Sequence, residues 1–258
     1  MVIDKYKSTG GFLQTYRLIK KIFFLLAAVI LFQSPVAARL AKDKKILVFT
    51  KTKGFYHTSI VAGVKAIQQL GNENKVQVDT TSDAGVFTNQ RLKQYAAIVF
   101  LSTTGDVLNE EQQRAFQHYI ARGGGFVGIH AAADTEYDWP WYNELVGAYF
   151  LSHPQQQEAL LVVRDSTHPS TRHLPFNWRK LDEWYNYKNI QPHIHVLITL
   201  EESSYSGGTN GSFHPIAWCH EKSGGRVFYT GLGHTDASYS DPLFLQHLWG
   251  GITYAMKQ

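Results

Sequence analysis

Four short segments of this chain carry groups able to move protons or hold a metal ion, and they fall at likely strand ends. The first is Gly54-Phe55-Tyr56-His57-Thr58-Ser59, and the second is His130 with Asp134 inside GGGFVGIHAAADT. The third is Asp182-Glu183-Trp184-Tyr185, and the fourth is Gly231-Leu232-Gly233-His234-Thr235-Asp236. In open parallel sheets, groups that follow several strands converge on one crevice at the carboxyl edge. Imidazoles beside carboxylates are what general acid–base catalysis or a divalent ion such as zinc would use. His130, His234, Asp134 and Glu183 are therefore the candidate catalytic groups. His57, Tyr56, His153, Trp184, Tyr185, Trp139 and Asp236 are the candidate contacts to a substrate. No spacing matches a metal signature such as H-E-x-x-H, so sequence assigns no metal ligands.

Each group also has a structural reading. His57 could cap the helix that follows it, His130 could be a hydrogen-bonded corner residue, Asp134 could compensate a helix N-terminus, and Glu183 could pair with a nearby Lys or Arg. His234 lies next to Gly233, and the glycines of its loop point to a special backbone conformation. His168, His193, His195, His214, His220 and His247 read as turn, surface or structural residues. Cys219, the single cysteine, lies in an alternating apolar run and reads as a buried thiol. The aromatic residues Trp139, Trp141, Tyr142, Trp184 and Tyr185 suit core packing, and equally the apolar faces of a sugar ring.

The positioning elements follow from periodicity. Runs 45–50, 76–80, 96–101 and 124–129 read as strands, with helices over about 59–70, 89–95 and 109–122 between them. Asn109 is the expected cap of the third helix, with Glu110 and Glu111 in its first turn. Strands alternating with helices imply a doubly wound, mainly parallel sheet in a three-layer α/β sandwich. A helix is expected to start just after His130, with Asp134 in its first turn. Beyond it, a short helix is expected near 143–146, strands over 158–164 and 195–200, a hairpin from 216–220 and 226–230, and a last helix over 242–255. Residues 168–188 read as irregular, and the polar Gly/Ser run 203–211 hints at local disorder.

The N-terminus reads as an export signal. Lys20 and Lys21 close a basic region, Ile22 to Phe32 is an apolar run of about 11 residues, and Val36-Ala37-Ala38 offers a cleavage site after Ala38. That run is short against the ~20 residues of a membrane span. Residues 1–38 are thus expected to be removed, leaving 39–258 as one domain that is periplasmic or secreted and free of the membrane. Lys5, Lys7, Arg17, Lys20 and Lys21 lie in the signal against Asp4, so the formal charge of +4 belongs to targeting and the remainder is near neutral. Nucleic-acid binding, which wants a surviving basic patch, is not expected. A single domain of this size leaves room for oligomerisation.

The segments TKGFYHTSI, GGGFVGIHAAADT, YNELVGAYFLSHP, DSTHPSTRHLP followed by DEWY, PIAW, GGRVFYTGLGHT and DPLFLQHLWGGITYA together resemble the ThuA-like family, named for trehalose utilisation. The resemblance covers nearly all of the chain beyond the signal, in order. Tyr56 departs from it, since the family often carries Arg before the His. The family is similar in fold to class I glutamine amidotransferases, whose G-x-C-x-G elbow and late H-x-E correspond to Gly128-Ile129-His130-Ala131-Ala132 and His234-Thr235-Asp236. With His in place of Cys, thiolate chemistry and glutaminase activity are not expected. The resemblance implies a carbohydrate-active protein whose substrate is a disaccharide, a glycoside or a keto-sugar derivative. The alternative is a sugar-binding module that kept the fold without the chemistry.

Overall fold

A computed structural model describes residues 44–257; the expected export signal and cleavage site lie outside the described residues. The first half alternates strand and helix. It contains β1 (Lys45–Phe49), α1 (Ile60–Glu73), β2 (Gln77–Thr81), α2 (Asn89–Leu92), β3 (Ala97–Leu101), α3 (Glu110–Ala121) and β4 (Gly125–Ile129). The second half contains α4 (Pro140–Val146), β5 (Tyr149–Ser152), β6 (Gln157–Val163), β7 (Asn177–Asp182), β8 (Asn186–Lys188), β9 (His195–Glu201), β10 (His214–Lys222), β11 (Gly225–Thr230) and α5 (Pro242–Ala255). Nine strands form one sheet in the order β2-β1-β3-β4-β11-β10-β9-β6-β7, while β5 and β8 pair separately.

The strands from β2 to β11 pair in parallel. Those from β11 to β7 pair antiparallel. β1, β3 and β4 are buried from end to end apart from Lys45, as expected for parallel strands covered on both faces. One face carries Phe100 and Phe126, which pack against Phe116 of α3 and Tyr142 of α4. The other carries Leu101 against Gly63 of α1, and Phe228 against Gly251 of α5. The result is a three-layer α/β sandwich, as the alternation implied.

Asn109 forms the expected cap of α3, and its side chain and that of Gln112 exchange hydrogen bonds with each other's backbone N–H. The β10–β11 hairpin turns at Ser223 and Gly224, both with positive φ, which suits a two-residue turn.

Three differences bear on the site. His130 to Ala133 form one 3-10 turn that Asp134 ends, rather than the start of an α-helix. The segment 168–188 is not irregular throughout, because it contains β7 and β8. The Gly/Ser run is organised: Glu202 accepts the N–H groups of Asn210 and Gly211, and Asn186 accepts that of Thr209.

Counting along the sheet, β7 runs in the same direction as β11, so its carboxyl end faces the same edge. A flat sheet would hold these strands ~19 Å apart, since neighbouring strands are ~4.8 Å apart. Yet Asp182, the last residue of β7, accepts the backbone N–H of His234 just after β11. The antiparallel half therefore curls back over the carboxyl edge. The register shifts between β9 and β10 at Pro215 to Trp218 supply extra local twist.

Candidate active site

His130 sits on a left-handed corner, φ +49°, at the end of β4. The corner is tight because its neighbours are small. A Cβ on Gly128 would come 2.9 Å from the Tyr229 ring, and Ala131, Ala132 and Ala133 are fully buried beneath the turn. β11 braces the residue at both ends. Tyr229 Oη donates to the backbone oxygen of His130 at 2.8 Å, and His130 Nδ1–H donates to the Gly231 carbonyl at 2.9 Å. That bond sets the tautomer of the neutral ring, and Nε2 of this fully buried residue faces His234 and Glu183 beneath the crevice.

Three further groups meet it. His130 Nε2 lies 3.0 Å from His234 Nδ1 and 3.5 Å from Glu183 Oε1, and His234 Nδ1 lies 3.2 Å from the same carboxylate oxygen. The His57 ring stands edge-on to both imidazoles, with centroids 4.9 and 5.2 Å away. One ligand-capable atom from each of His57, His130, Glu183 and His234 falls within 4.8 Å of the others.

The surrounding chain holds this arrangement. Ser59 stands at the start of α1 but does not cap it; its hydroxyl donates to the Gly233 carbonyl and ties the β1 loop to the β11 loop. Asp182 is fully buried and accepts from the N–H groups of Glu183, Gly233 and His234 and from the Ser238 hydroxyl. Glu183 Oε2 is engaged by His153 Nδ1 at 3.2 Å.

Burial, reinforced by the neighbouring imidazoles, pushes the His57 pKa down to about 3, so that ring is neutral at physiological pH. Burial acts against ionisation of Glu183, but the hydrogen bonds and charges of His130 and His234 outweigh it and hold the carboxylate well below its ordinary range. Burial also lowers His234, but Glu183 outweighs it and the net shift is upward. Burial raises the Asp134 carboxyl, against the hydrogen bond it accepts from Tyr137.

The crevice above the cluster has a volume of about 420 Å³, within the range of small-molecule sites. Phe55, His57, Asp134, Phe150, His153, Gln156, Glu183, Tyr185 and His234 line it. Tyr185 lies against His130 with centroids 4.3 Å apart, and Phe150 packs on Tyr185 at the same separation. His130, His234, Glu183, Asp134, His57, His153 and Tyr185 thus come together as the strand-end argument requires.

Tyr56 is 53 % exposed beside the crevice without lining it. Trp184 is fully buried and donates Nε1–H to the Gln157 carbonyl, so it is a packing residue. Trp139 stacks on Trp141 and Asp236 is exposed, and neither lines the crevice. Sequence reasoning did not select Asp182, although it directly precedes Glu183, nor the lining residues Phe55, Phe150 and Gln156.

A family model described as "Trehalose utilisation" (ThuA) matches residues 45–255. A ThuA-like protein from Bacteroides uniformis ATCC 8492 is similar in structure, with a TM-score of 0.71 and 25% identity over 84% of this chain and 94% of that one. Another from Parabacteroides merdae ATCC 43184 gives 0.69 and 25% over 84% and 91%. A β-galactosidase from Bacillus circulans sp. alkalophilus shares the fold at a TM-score of 0.56 and 12% identity, over 82% of this chain and 31% of that enzyme. Among curated proteins, none matches the sequence.

Proposed function

The chain belongs to the ThuA (trehalose utilisation) family, and we propose that it is an exported carbohydrate-active enzyme cleaving a disaccharide, a glycoside or a keto-sugar derivative. One observation carries the reading. His130, His234 and Glu183 bring three polar atoms within 3.5 Å of one another, with His234 and Glu183 lining a crevice whose walls include Phe55, Phe150 and Tyr185 and His130 buried directly behind them. Aromatic walls suit the apolar C–H faces of a sugar ring, and a convergent polar floor is where bond cleavage would be assisted.

Asp134 fits the general acid. It lines the crevice, and burial shifts it toward the protonated form, so it can donate to the departing sugar oxygen. The His130–His234–Glu183 cluster activates the attacking water or a sugar hydroxyl from below. A pair of carboxylates working alone fits less well, because the floor is mostly imidazole.

The test is turnover of a panel of disaccharides and 3-keto-glycosides. His130→Ala and Asp134→Asn are each expected to cut turnover by about 100-fold or more. Wild-type rates in both variants would overturn the assignment, and sugar affinity without any product would favour a binding module instead. Export is checked separately, since a mature chain beginning at Arg39 is expected when the full sequence is expressed in a secreting host.

A further inference from the structure

We propose that His130, His234 and Glu183, with His57 as the fourth ligand, form a binding site for one divalent transition-metal ion of the zinc class. The first argument is convergence. The Nδ1–H of His130 is committed to the Gly231 carbonyl, which leaves Nε2 facing the cluster. Nε2 lies 3.0 Å from His234 Nδ1 and 3.5 Å from Glu183 Oε1, and those two atoms lie 3.2 Å apart. Two imidazole nitrogens and a carboxylate oxygen gathered this closely are a donor set that a divalent cation satisfies.

The spacing gives the second argument. Ligand atoms ~2.0–2.1 Å from a tetrahedral zinc ion lie ~3.3 Å from one another. The three observed edges are 3.0, 3.2 and 3.5 Å. A single ion just above that triangle would meet all three atoms with sub-ångström adjustments.

His57 supplies the third. It is buried to 96 % of its surface, and its Nδ1 has no hydrogen-bond partner among the described residues. A buried polar atom left without a partner is costly, so its persistence here calls for an explanation. His57 contributes the fourth ligand atom of a cluster spanning no more than 4.8 Å.

The supports around the cluster are those expected of a metal centre. Ligating imidazoles fixed by a backbone carbonyl, and ligating carboxylates held by a further partner, are typical of the outer shell. Here the Gly231 carbonyl holds His130 and His153 holds the second oxygen of Glu183. Three imidazoles with one carboxylate suit zinc, iron or nickel better than magnesium or calcium, which take oxygen ligands. With coordination expanded to a fifth position on the crevice side, a bound ion would polarise a sugar oxygen or acidify a water. That use rests on the sugar reading above, whereas binding of the ion does not.

The experiment strips the purified full chain with a chelator, then titrates zinc chloride by calorimetry and counts metal by mass spectrometry. One zinc per chain is expected. Glu183→Gln and His234→Ala should each weaken binding by more than about 100-fold, beyond the 10–100-fold that outer-shell partners control. His153→Ala should cost less than either. Thermal melts check that each variant is folded, and cobalt substitution gives a second readout, a visible absorption band that the ligand variants lose. Folded wild-type protein that retains neither zinc nor cobalt would overturn the proposal, as would undiminished binding in the folded Glu183→Gln and His234→Ala proteins. Zinc binding without sugar turnover would uphold the site and remove the sugar reading; turnover unaffected by chelation, with no metal bound, would do the reverse.

Discussion

Asp182 Oδ1 accepts the backbone N–H of His234 at 3.0 Å, joining the edge strand β7 to the loop after β11 across 52 residues of chain. The same carboxylate serves Glu183 N–H, Gly233 N–H and the Ser238 hydroxyl, in full burial. It is therefore the residue that makes a curled sheet and a convergent site one feature. Removing it strands several buried donors together. Asp182→Ala is expected to destabilise the fold by about 3 kcal/mol or more, since each buried donor left without an acceptor costs about 1–3 kcal/mol. Asp182→Asn keeps one acceptor and should cost less. Urea unfolding of the two variants checks the order, and equal stabilities would contradict it.

The corner at His130 stores backbone strain. A non-glycine residue held at φ +49° pays an energetic penalty that glycine does not. His130→Gly and His130→Ala both lose the imidazole and its bond to Gly231, but only the alanine keeps the Cβ in the left-handed region. His130→Gly is expected to be more stable than His130→Ala by about 1 kcal/mol, although both lack the imidazole. Thermal or urea melts of the pair measure it. A more stable alanine variant would show that the corner relaxes once the ring is gone.

Much of the fold was readable because the parallel strands are continuous apolar runs and the helices carry clear end signals, such as Asn109 before α3 and Pro242 at the start of α5. β7 escaped because its inward-facing residues are Trp178, Lys180 and Asp182, so its buried face reads as mostly polar. Lys180 is tolerated there by pairing with Asp241, and Asp182 by its four donors. Partners distant in sequence carry no local signal. The site itself was legible as strand-end chemistry, but the choice among its aromatics was not. Alternate side chains of an extended segment point to opposite sides. Glu183 and Tyr185 face the crevice while Asp182 and Trp184 turn inward. Once Glu183 is assigned, that parity selects Tyr185 over Trp184.

Phe55 is 66 % exposed at the crevice mouth, edge-on to His57 with centroids 4.8 Å apart. On the sugar reading proposed above, an apolar ring standing in water beside a polar floor would stack on the substrate before chemistry begins. It makes no contact that would strengthen in a transition state. Phe55→Ala is expected to raise KM by about tenfold, worth ~1.4 kcal/mol, with kcat nearly unchanged. Steady-state kinetics on the active substrate decide this, and an equal fall in kcat would move Phe55 into the catalytic step.

Three histidines away from the crevice predict how stability depends on pH. Burial lowers His247 to about 3 and His168 and His220 to about 4. His247 is fully enclosed, with its nitrogens bonded to the Ser170 carbonyl and the Thr230 hydroxyl. In the unfolded chain these rings take up protons near pH 6.5, whereas in the folded chain they resist until pH 3–4. Between those limits the unfolded state binds more protons, so stability falls as pH falls. Above about pH 7 these groups contribute no slope. From pH 6.5 to about 4, each contributes up to ~1.4 kcal/mol of destabilisation per pH unit. His234, whose pKa is raised, works in the opposite direction and offsets part of the effect. Urea midpoints measured at pH 7.5, 6 and 5 should therefore decline steeply below about pH 6.5. His57 and His214, also lowered by burial, add to the same slope, so in His247→Gln, which removes one titrating group while keeping polar atoms near Ser170 and Thr230, the decline should be shallower by roughly a quarter or less. A midpoint that stays flat from pH 7.5 to 5 would mean these rings are hydrated and titrate normally in the folded protein.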